Sequence, residues 1–204
     1  TTGIQHFTAD GKTLYFIDSR NRDTGALFAM DWATGKTRLV SENPKADLGN
    51  LLVNPVTKTV EAASYDYLKP EWTVLDPAVA DDIGFLKAKM GNWLLSSRTE
   101  ADDRWIVTSD NSTAPAAAFV YDRKAKVLTK LFDSRPELVG APLAQMRPVE
   151  ILSRDGKTIV SYLTLPAGVE SRPDKPLPMV LLVHGGPWAR DSYGFDGYAQ
   201  FLAN

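Results

Sequence analysis

The sequence predicts a mainly β fold, in which about three blades of a partial β-propeller precede the first strands of an α/β domain. Three observations lead to this prediction: a repeat of about 45 residues, short alternating or β-branched runs within each repeat, and a change of pattern near residue 148. The 44% of hydrophobic residues and the 24% of charged residues are ordinary values for a globular protein.

The repeat keeps the same period at two independent landmarks. Leu14, Val60 and Ile106 occupy matching places in short strands that follow polar turns, and they are 46 residues apart. Further along each repeat, the runs FAMD, TVLD and FVYD end in aspartates with steps of 45 and 46 residues; these are Asp31, Asp76 and Asp122. A repeat of this length has room for roughly four short strands, which is the size of one propeller blade.

Short strands in the same order are predicted within the repeats. GIQHF, LYFI, ALFAM and TRLV form the first copy, and NWLL, RWIV, AAFVY and VLTKLF form the third. A stack of helical repeats is disfavoured because only the stretch after Asp76 has a helical pattern. Three blades do not close a ring, so we expect further blades upstream of Thr1.

The acidic residues of the repeats do not indicate an acid or metal site. Asp31, Asp76 and Asp122 recur once per repeat, which predicts that they cap turns. The pairs Asp81-Asp82 and Asp102-Asp103 are also assigned to turns. With two histidines and no cysteine in the chain, we expect neither a transition metal nor a disulfide.

A proline-punctuated linker over residues 133–148 separates two predicted domains, which cover residues 1–141 and 147–204. Residues 149–166 are predicted to form a hairpin that turns at Asp155-Gly156, because glycine accepts the positive φ of a tight turn.

The apolar run at residues 179–183 is predicted to be a strand covered on both faces, as in the sheet of an α/β domain. A helix is predicted after it from the spacing of four apolar residues: Phe195, Tyr198, Phe201 and Leu202.

The run HGGP follows the predicted strand directly, at residues 184–187. A glycine turn beyond a strand end brings peptide N–H groups close to a ligand, so Gly185 and Gly186 are candidate oxyanion donors. The alternative is that glycine only permits a tight turn. His184 is expected to orient this loop rather than to act as a base. Trp188 and Arg190 either line a substrate cleft or pin the loop, Arg190 through an ion pair with Asp191.

The order of these parts resembles the prolyl oligopeptidase group of serine peptidases, and in particular its dipeptidyl aminopeptidase and acylaminoacyl-peptidase branch. The resemblance covers the whole chain: blades, then MRPVEILSRDGKTIVSYLTLP, then LPMVLLVHGGPWARD and FDGYAQFLAN. It implies a propeller followed by the first part of an α/β-hydrolase domain, with the oxyanion hole at HGGP. The Gly185 N–H is the better-matched donor and the Gly186 N–H the second.

The resemblance implies an enzyme that hydrolyses short peptides through an acyl-enzyme and needs no cofactor. No G-x-S-x-G motif occurs in residues 1–204, so the triad is expected beyond Asn204 and the chain alone is expected to be an inactive piece of the enzyme. One alternative is a propeller-type binding module with a degenerate hydrolase tail. Another is a proline iminopeptidase or esterase that uses HGGP, which the upstream repeat disfavours.

The composition also limits the classes of partner that we expect. The 23 basic and 25 acidic residues nearly balance, so neither nucleic acid nor an anionic membrane surface is an expected partner. The longest apolar run is far shorter than the roughly 20 residues that cross a bilayer. Peptides are the expected partners. The sequence leaves homo-oligomerisation open, together with the choice between a cytoplasmic and a periplasmic location.

Overall fold

Antiparallel sheets dominate the computed structural model, which describes residues 2–169, 173, 175–186 and 188–204. The first sheet has the order β1-β2-β3-β4, so each strand pairs with its neighbour in sequence. Its strands are Thr2–Phe7 (β1), Thr13–Asp18 (β2), Ala26–Asp31 (β3) and Thr37–Ser41 (β4). The mainly β fold predicted from the sequence is confirmed.

The second and third sheets repeat this arrangement with one difference. The second has three strands, Leu48–Val53 (β5), Val60–Asp66 (β6) and Pro70–Val74 (β7), followed by a 3-10 turn at Pro77–Val79 and a helix at Ala80–Met90 (α1). The third again has four strands, Trp93–Arg98 (β8), Arg104–Ser109 (β9), Ala117–Asp122 (β10) and Val127–Asp133 (β11). A helix therefore stands in the sequence where the other two sheets have their fourth strand.

Local signals explain why α1 forms there. The side chain of Asp76 accepts a hydrogen bond from the Ala78 N–H at 2.9 Å, ahead of Pro77 in the first turn. Asp81 and Asp82 lie in the first turn of α1, where the helix dipole favours negative charge. The helix stops at Gly91, whose φ of +72° suits glycine.

Two apolar cores lie between successive sheets. Side chains of β2, β3, β5 and β6 form the first, which contains Tyr15, Leu27 and Tyr65. The second joins β5 and β6 to the third sheet and α1, and its largest buried side chains are Trp93, Trp105 and Tyr121. Strand β6 is buried from Val60 to Tyr65 because it contributes to both cores. The landmark residues Leu14, Val60 and Ile106 all fall in second strands, as the repeat predicts.

The repeated aspartates cap turns, as expected. Asp31 Oδ1 accepts from the Thr34 N–H at 2.8 Å, and Asp122 Oδ1 accepts from the Ala125 N–H at 2.8 Å. The prediction for Asp81-Asp82 is wrong, because both residues lie inside α1 and Asp82 is buried there. Their pattern was ambiguous since acidic residues favour both turns and the first turn of a helix.

After the third sheet, a 3-10 turn at Pro136–Leu138 leads to a hairpin of Met146–Leu152 (β12) and Thr158–Thr164 (β13). Gly156 has a φ of +80° in its turn, which confirms the predicted hairpin. The predicted C-terminal helix is also present, at Gly197–Ala203 (α2), and the side chain of Asp196 caps it by accepting from the Ala199 N–H at 2.6 Å.

The strand predicted at residues 179–183 is not formed. These residues have no regular secondary structure, and all five side chains are exposed, including Leu181 at 80%. A strand exists through its ladder partners, and no strand among the described residues pairs with this run. Part of the predicted loop before it, Glu170 to Arg172 and Asp174, lies outside the described residues.

Candidate functional site

The glycine turn is an exposed segment in which the two glycines differ. Gly186 has a φ of +155°, and a Cβ there would lie 3.0 Å from the Trp188 backbone nitrogen. A Cβ at Gly185 would meet nothing within 4 Å, and its φ is not in the positive region. The conformation therefore requires glycine at 186 but not at 185. Pro187, the last residue of the HGGP motif, lies outside the described residues.

The His184 ring turns back onto this segment. Its Nδ1 lies 2.8 Å from the Gly185 carbonyl oxygen, and Nδ1 is the donor because a carbonyl only accepts. In a trans peptide the N–H points away from the C=O, so this bond fixes the plane that carries the Gly186 N–H. Within the described residues, neither Gly185 N–H nor Gly186 N–H donates to any acceptor.

Trp188 and Arg190, the two residues predicted beside the turn, lie in contrasting environments. The Trp188 side chain is 96% exposed. Arg190 instead reaches the second sheet, where its Nη1 donates to the Asp66 carbonyl and its Nη2 donates to the Tyr67 carbonyl at 2.7 Å. Its contact with Asp191 is made by Nε to the main-chain carbonyl at 3.0 Å rather than as an ion pair.

Tyr162 of β13 completes the contacts of Arg190. Its hydroxyl oxygen lies 3.1 Å from Arg190 Nη2. Burial raises the pKa of the Tyr162 hydroxyl, the Asp66 carboxylate raises it further, and Arg190 opposes both. The group is therefore an uncharged phenol at neutral pH. Arg190 together with the Asp66 carbonyl, the Tyr67 carbonyl and the Tyr162 hydroxyl is called the Arg190 anchor below.

The segment after the turn is held by the loop that follows β9. The Phe195 N–H donates to Asp110 Oδ1 at 3.0 Å. Gly194 packs so closely on this carboxylate that a Cβ would lie 2.5 Å from Asp110 Oδ2. The Lys69 ammonium lies 4.3 Å from the centre of the Tyr193 ring, which is buried. These contacts join the C-terminal segment to the second and third sheets.

Gln200 forms the deepest of these connections. Its side-chain oxygen accepts from the Ala144 N–H at 2.7 Å, while its nitrogen donates to the Ala144 carbonyl at 2.7 Å and to the Ser112 carbonyl at 2.8 Å. Sequence reasoning missed this residue, although a glutamine between the apolar Tyr198 and Phe201 was a usable signal. Both of those aromatic side chains are exposed, whereas Gln200 is buried.

A buried charge cluster, which the sequence also did not predict, joins the second and third sheets. Arg98 is only 6% exposed in its side chain; it donates to Glu61 at 2.6 Å, to the Val53 carbonyl at 3.0 Å and to Asp102 Oδ1 at 2.6 Å. Arg123 binds Asp102 from the other side. The guanidinium groups of Arg98 and Arg123 lie 4.9 Å and 4.8 Å from the centre of the Trp105 ring.

Asp82 extends the cluster to α1. Its carboxylate accepts from the Tyr121 hydroxyl at 2.7 Å, from Arg123 at 2.7 Å and from Lys126. Burial alone would raise the pKa of Asp82, but the hydrogen bonds from Arg123, Lys126 and Tyr121 outweigh it, and the pKa lies below its ordinary value. Three acidic and three basic side chains thus neutralise one another where the sheets meet α1, which favours a structural role.

Among the residues that the structure describes, no group of three or more His, Asp or Glu side chains is arranged to hold a metal ion. No helix in the described part of the chain is long and apolar enough to cross a membrane.

No protein-family model matches the chain, but two curated relatives do. Over its whole length the chain is 54% identical to dipeptidyl aminopeptidase BIII from Pseudoxanthomonas mexicana, of which it covers 30%. It is 28% identical, over 97% of its length, to dipeptidyl peptidase family member 6 from Caenorhabditis elegans, of which it also covers 30%. The chain thus spans about a third of the length of the relatives that it matches.

Solved structures show the same fold. A puromycin-hydrolysing peptidase from Mycobacterium tuberculosis matches 91% of the chain with a TM-score of 0.62 and 18% identity, over 29% of its own length. A prolyl endopeptidase matches 83% of the chain with a TM-score of 0.53 and 14% identity, over 25% of its own length. The chain is therefore homologous, over its whole length, to one segment of a dipeptidyl aminopeptidase, and the resemblance to the prolyl oligopeptidase group is confirmed.

Proposed function

We propose that the chain is part of a serine peptidase that removes dipeptides from the N-termini of short peptides. The observation that carries this proposal is the 54% identity to a dipeptidyl aminopeptidase, which extends from the sheets through the glycine turn to the end of the chain. In the proposed division of labour, residues 1–141 are propeller blades that border the active site, and residues 147–204 supply part of the peptidase domain.

In the proposed mechanism, a serine from another part of the full-length protein attacks the scissile carbonyl, and a tetrahedral oxyanion forms. The Gly185 N–H donates a hydrogen bond to that oxygen, and the Gly186 N–H is the second candidate. One such donor lowers the barrier by about 3 to 4 kcal/mol in other acyl-transfer enzymes. Support comes from the free N–H groups of both glycines among the described contacts and from the His184 bond that orients the Gly186 peptide.

Different roles are proposed for Trp188 and Arg190, because their side chains lie in different environments. Trp188 is exposed and free to contact a substrate side chain, so we keep it as a candidate substrate-binding residue. The donors of Arg190 are already used on the second sheet and β13, which supports a role in holding the loop over a role in binding substrate. The proposed chemistry needs no metal or organic cofactor.

Assays of the full-length gene product test the proposal. Dipeptidyl p-nitroanilides with a free N-terminus should be hydrolysed, their N-acetylated forms should be hydrolysed much more slowly, and a serine-directed phosphonate should abolish both activities. Turnover of N-acetylaminoacyl substrates in preference to free dipeptides would indicate an acylaminoacyl-peptidase instead. Peptide binding without any turnover would contradict the peptidase and favour a binding module.

The 204-residue chain by itself is proposed to be inactive, because it holds no G-x-S-x-G nucleophile turn. The same assays, run on this chain alone, should show no turnover above buffer. Hydrolysis that the phosphonate blocks would place a nucleophilic serine within residues 1–204 and overturn this part of the proposal.

A further inference from the structure

We propose that Arg190 is a positioning residue, which holds the glycine turn at a fixed place against the second sheet and so sets the direction of the proposed oxyanion donors. This inference rests on the function proposed above. The role is distinct from binding substrate, since Nε, Nη1 and Nη2 of Arg190 all donate to oxygens of the protein itself.

The chemistry of the Arg190 anchor favours rigidity. Its acceptors in the second sheet are main-chain carbonyls at the end of β6, a strand whose preceding residues are buried, so they cannot change rotamer as a carboxylate could. The planar guanidinium fork can bind two carbonyls and a hydroxyl at once, which a lysine ammonium cannot reproduce in the same geometry. Within the described residues the side-chain hydrogen bonds of Arg190 all go to carbonyl or hydroxyl oxygens, and none of them is an ion pair.

The position of Arg190 in the chain links the anchor to the turn. Residues 175–183 carry no regular secondary structure, and no described residue from 175 to 189 forms a side-chain hydrogen bond, ion pair or ring contact to the sheets. Arg190 is the first that does. It stands four residues after Gly186, and four residues span at most about 14 Å. Fixing Arg190 therefore limits where the glycine N–H groups can lie, while Phe195 and Asp110 hold the chain on the far side.

Kinetics of the full-length gene product test this role with Arg190→Ala, Arg190→Lys and Tyr162→Phe. The matched control is Arg154→Ala, because Arg154 is exposed in the hairpin turn and has no partner among the described contacts. For Arg190→Ala we expect kcat to fall by about 10- to 100-fold with KM changed by less than about threefold, since a small misplacement of a catalytic group can cost about 100-fold. Arg190→Lys should recover part of this loss, and Tyr162→Phe should lose only about two- to fivefold because both carbonyl contacts remain.

Two readouts distinguish positioning from general stability. A peptide aldehyde, which forms a tetrahedral adduct, should bind Arg190→Ala more weakly in proportion to the loss of kcat/KM. A protease must straighten the residues on both sides of the bond that it cuts, so chymotryptic cleavage after the exposed Trp188 should be faster in Arg190→Ala and stay at the wild-type rate in Arg154→Ala. Millimolar guanidinium should restore part of the activity of Arg190→Ala and have no such effect on the wild type.

The outcomes separate this inference from the proposed function. If the wild type has no peptidase activity but chymotrypsin cleaves Arg190→Ala faster after Trp188, the anchor stands and the proposed function fails. An unchanged rate of cleavage after Trp188 in Arg190→Ala overturns the anchor. A kcat like that of the wild type, or a loss confined to KM, overturns the link to the oxyanion donors.

Discussion

The three sheets and the segment around the glycine turn differ in whether their backbone is paired and in whether their apolar side chains are buried. In the sheets every strand pairs with a neighbour in sequence, and the cores close between successive sheets. The run at residues 179–183 is as apolar as any strand in the chain, yet it is exposed and unpaired. Hydrophobicity alone therefore does not form a strand, because a strand also needs a neighbouring strand to pair with. In the sheets that neighbour is the next segment of the sequence.

The largest expected effect tests how firmly the sheets are joined. Arg98→Ala leaves the buried Glu61 carboxylate without its ion-pair partner and removes one of the two arginines that pair with Asp102, and losing one partner of a buried ion pair costs about 3 to 5 kcal/mol. Urea unfolding of the full-length gene product, followed by tryptophan fluorescence, should show this loss in the sheets. Arg38→Ala, which removes an exposed arginine from β4, should leave the unfolding midpoint unchanged. An equal midpoint in both variants would show that the charge cluster does not stabilise the sheets.

A smaller loss is expected where the C-terminal segment docks on the sheets. Gly194→Ala places a methyl group against the Asp110 carboxylate, which also binds the Phe195 N–H, and such overpacking costs about 1 to 3 kcal/mol. Gly197→Ala is the matched control because its Cβ meets nothing within 4 Å and it begins α2. Thermal unfolding should separate the two variants. A control as unstable as Gly194→Ala would mean that the close packing on Asp110 is unimportant.

Substitution of the two glycines of the turn should change the activity of the enzyme without changing its stability, and the two positions should differ in the size of the effect. Gly186→Ala strains the backbone and crowds Trp188, so kcat should fall by about tenfold or more with little change in thermal stability. Gly185→Ala keeps its N–H and meets no neighbour, so its kcat should stay within about threefold of the wild type. The measurement is steady-state hydrolysis of a dipeptidyl p-nitroanilide by the full-length gene product. The reverse order would contradict the geometry of the turn.

The smallest effect concerns pH. The pKa of Asp82 is lower in the folded protein than its ordinary value of 3.8, so its contribution to stability is complete above that value and is lost as the pH falls below it. One such group changes the free energy of unfolding by at most about 1.4 kcal/mol per pH unit. Between pH 5 and pH 3, Asp82→Asn should therefore lose less stability than the wild type. Urea unfolding at each pH measures the loss, and an equal loss in the two proteins would contradict the role of Asp82.

The sequence predicted those parts that depend on near neighbours. The strand order, the capping by Asp31 and Asp122, the hairpin turn at Gly156 and helix α2 were all predicted correctly, because each depends on residues a few positions apart. The contacts of Arg190 were not predictable, since carbonyl acceptors carry no side-chain signature. Asp82 was wrongly assigned to a turn because aspartate is common both in solvated turns and in the first turn of a helix. What distinguishes the two here is the set of cationic partners of Asp82, which lie about 40 residues away in the sequence.

In the Arg190 anchor, the acceptors at Asp66 and Tyr67 are main-chain carbonyls. The side chains at these two positions can therefore vary, whereas the path of the backbone cannot. Almost any side chain at those two positions would present the same carbonyl oxygens, so substitution there should leave the contact with Arg190 intact. An insertion or deletion directly after Asp66 would instead displace the Tyr67 carbonyl, whereas the Asp66 carbonyl would stay in place at the end of β6. At Asp66 and Tyr67 the contact with Arg190 thus depends on the path of the backbone and hardly at all on the side chains that the backbone carries.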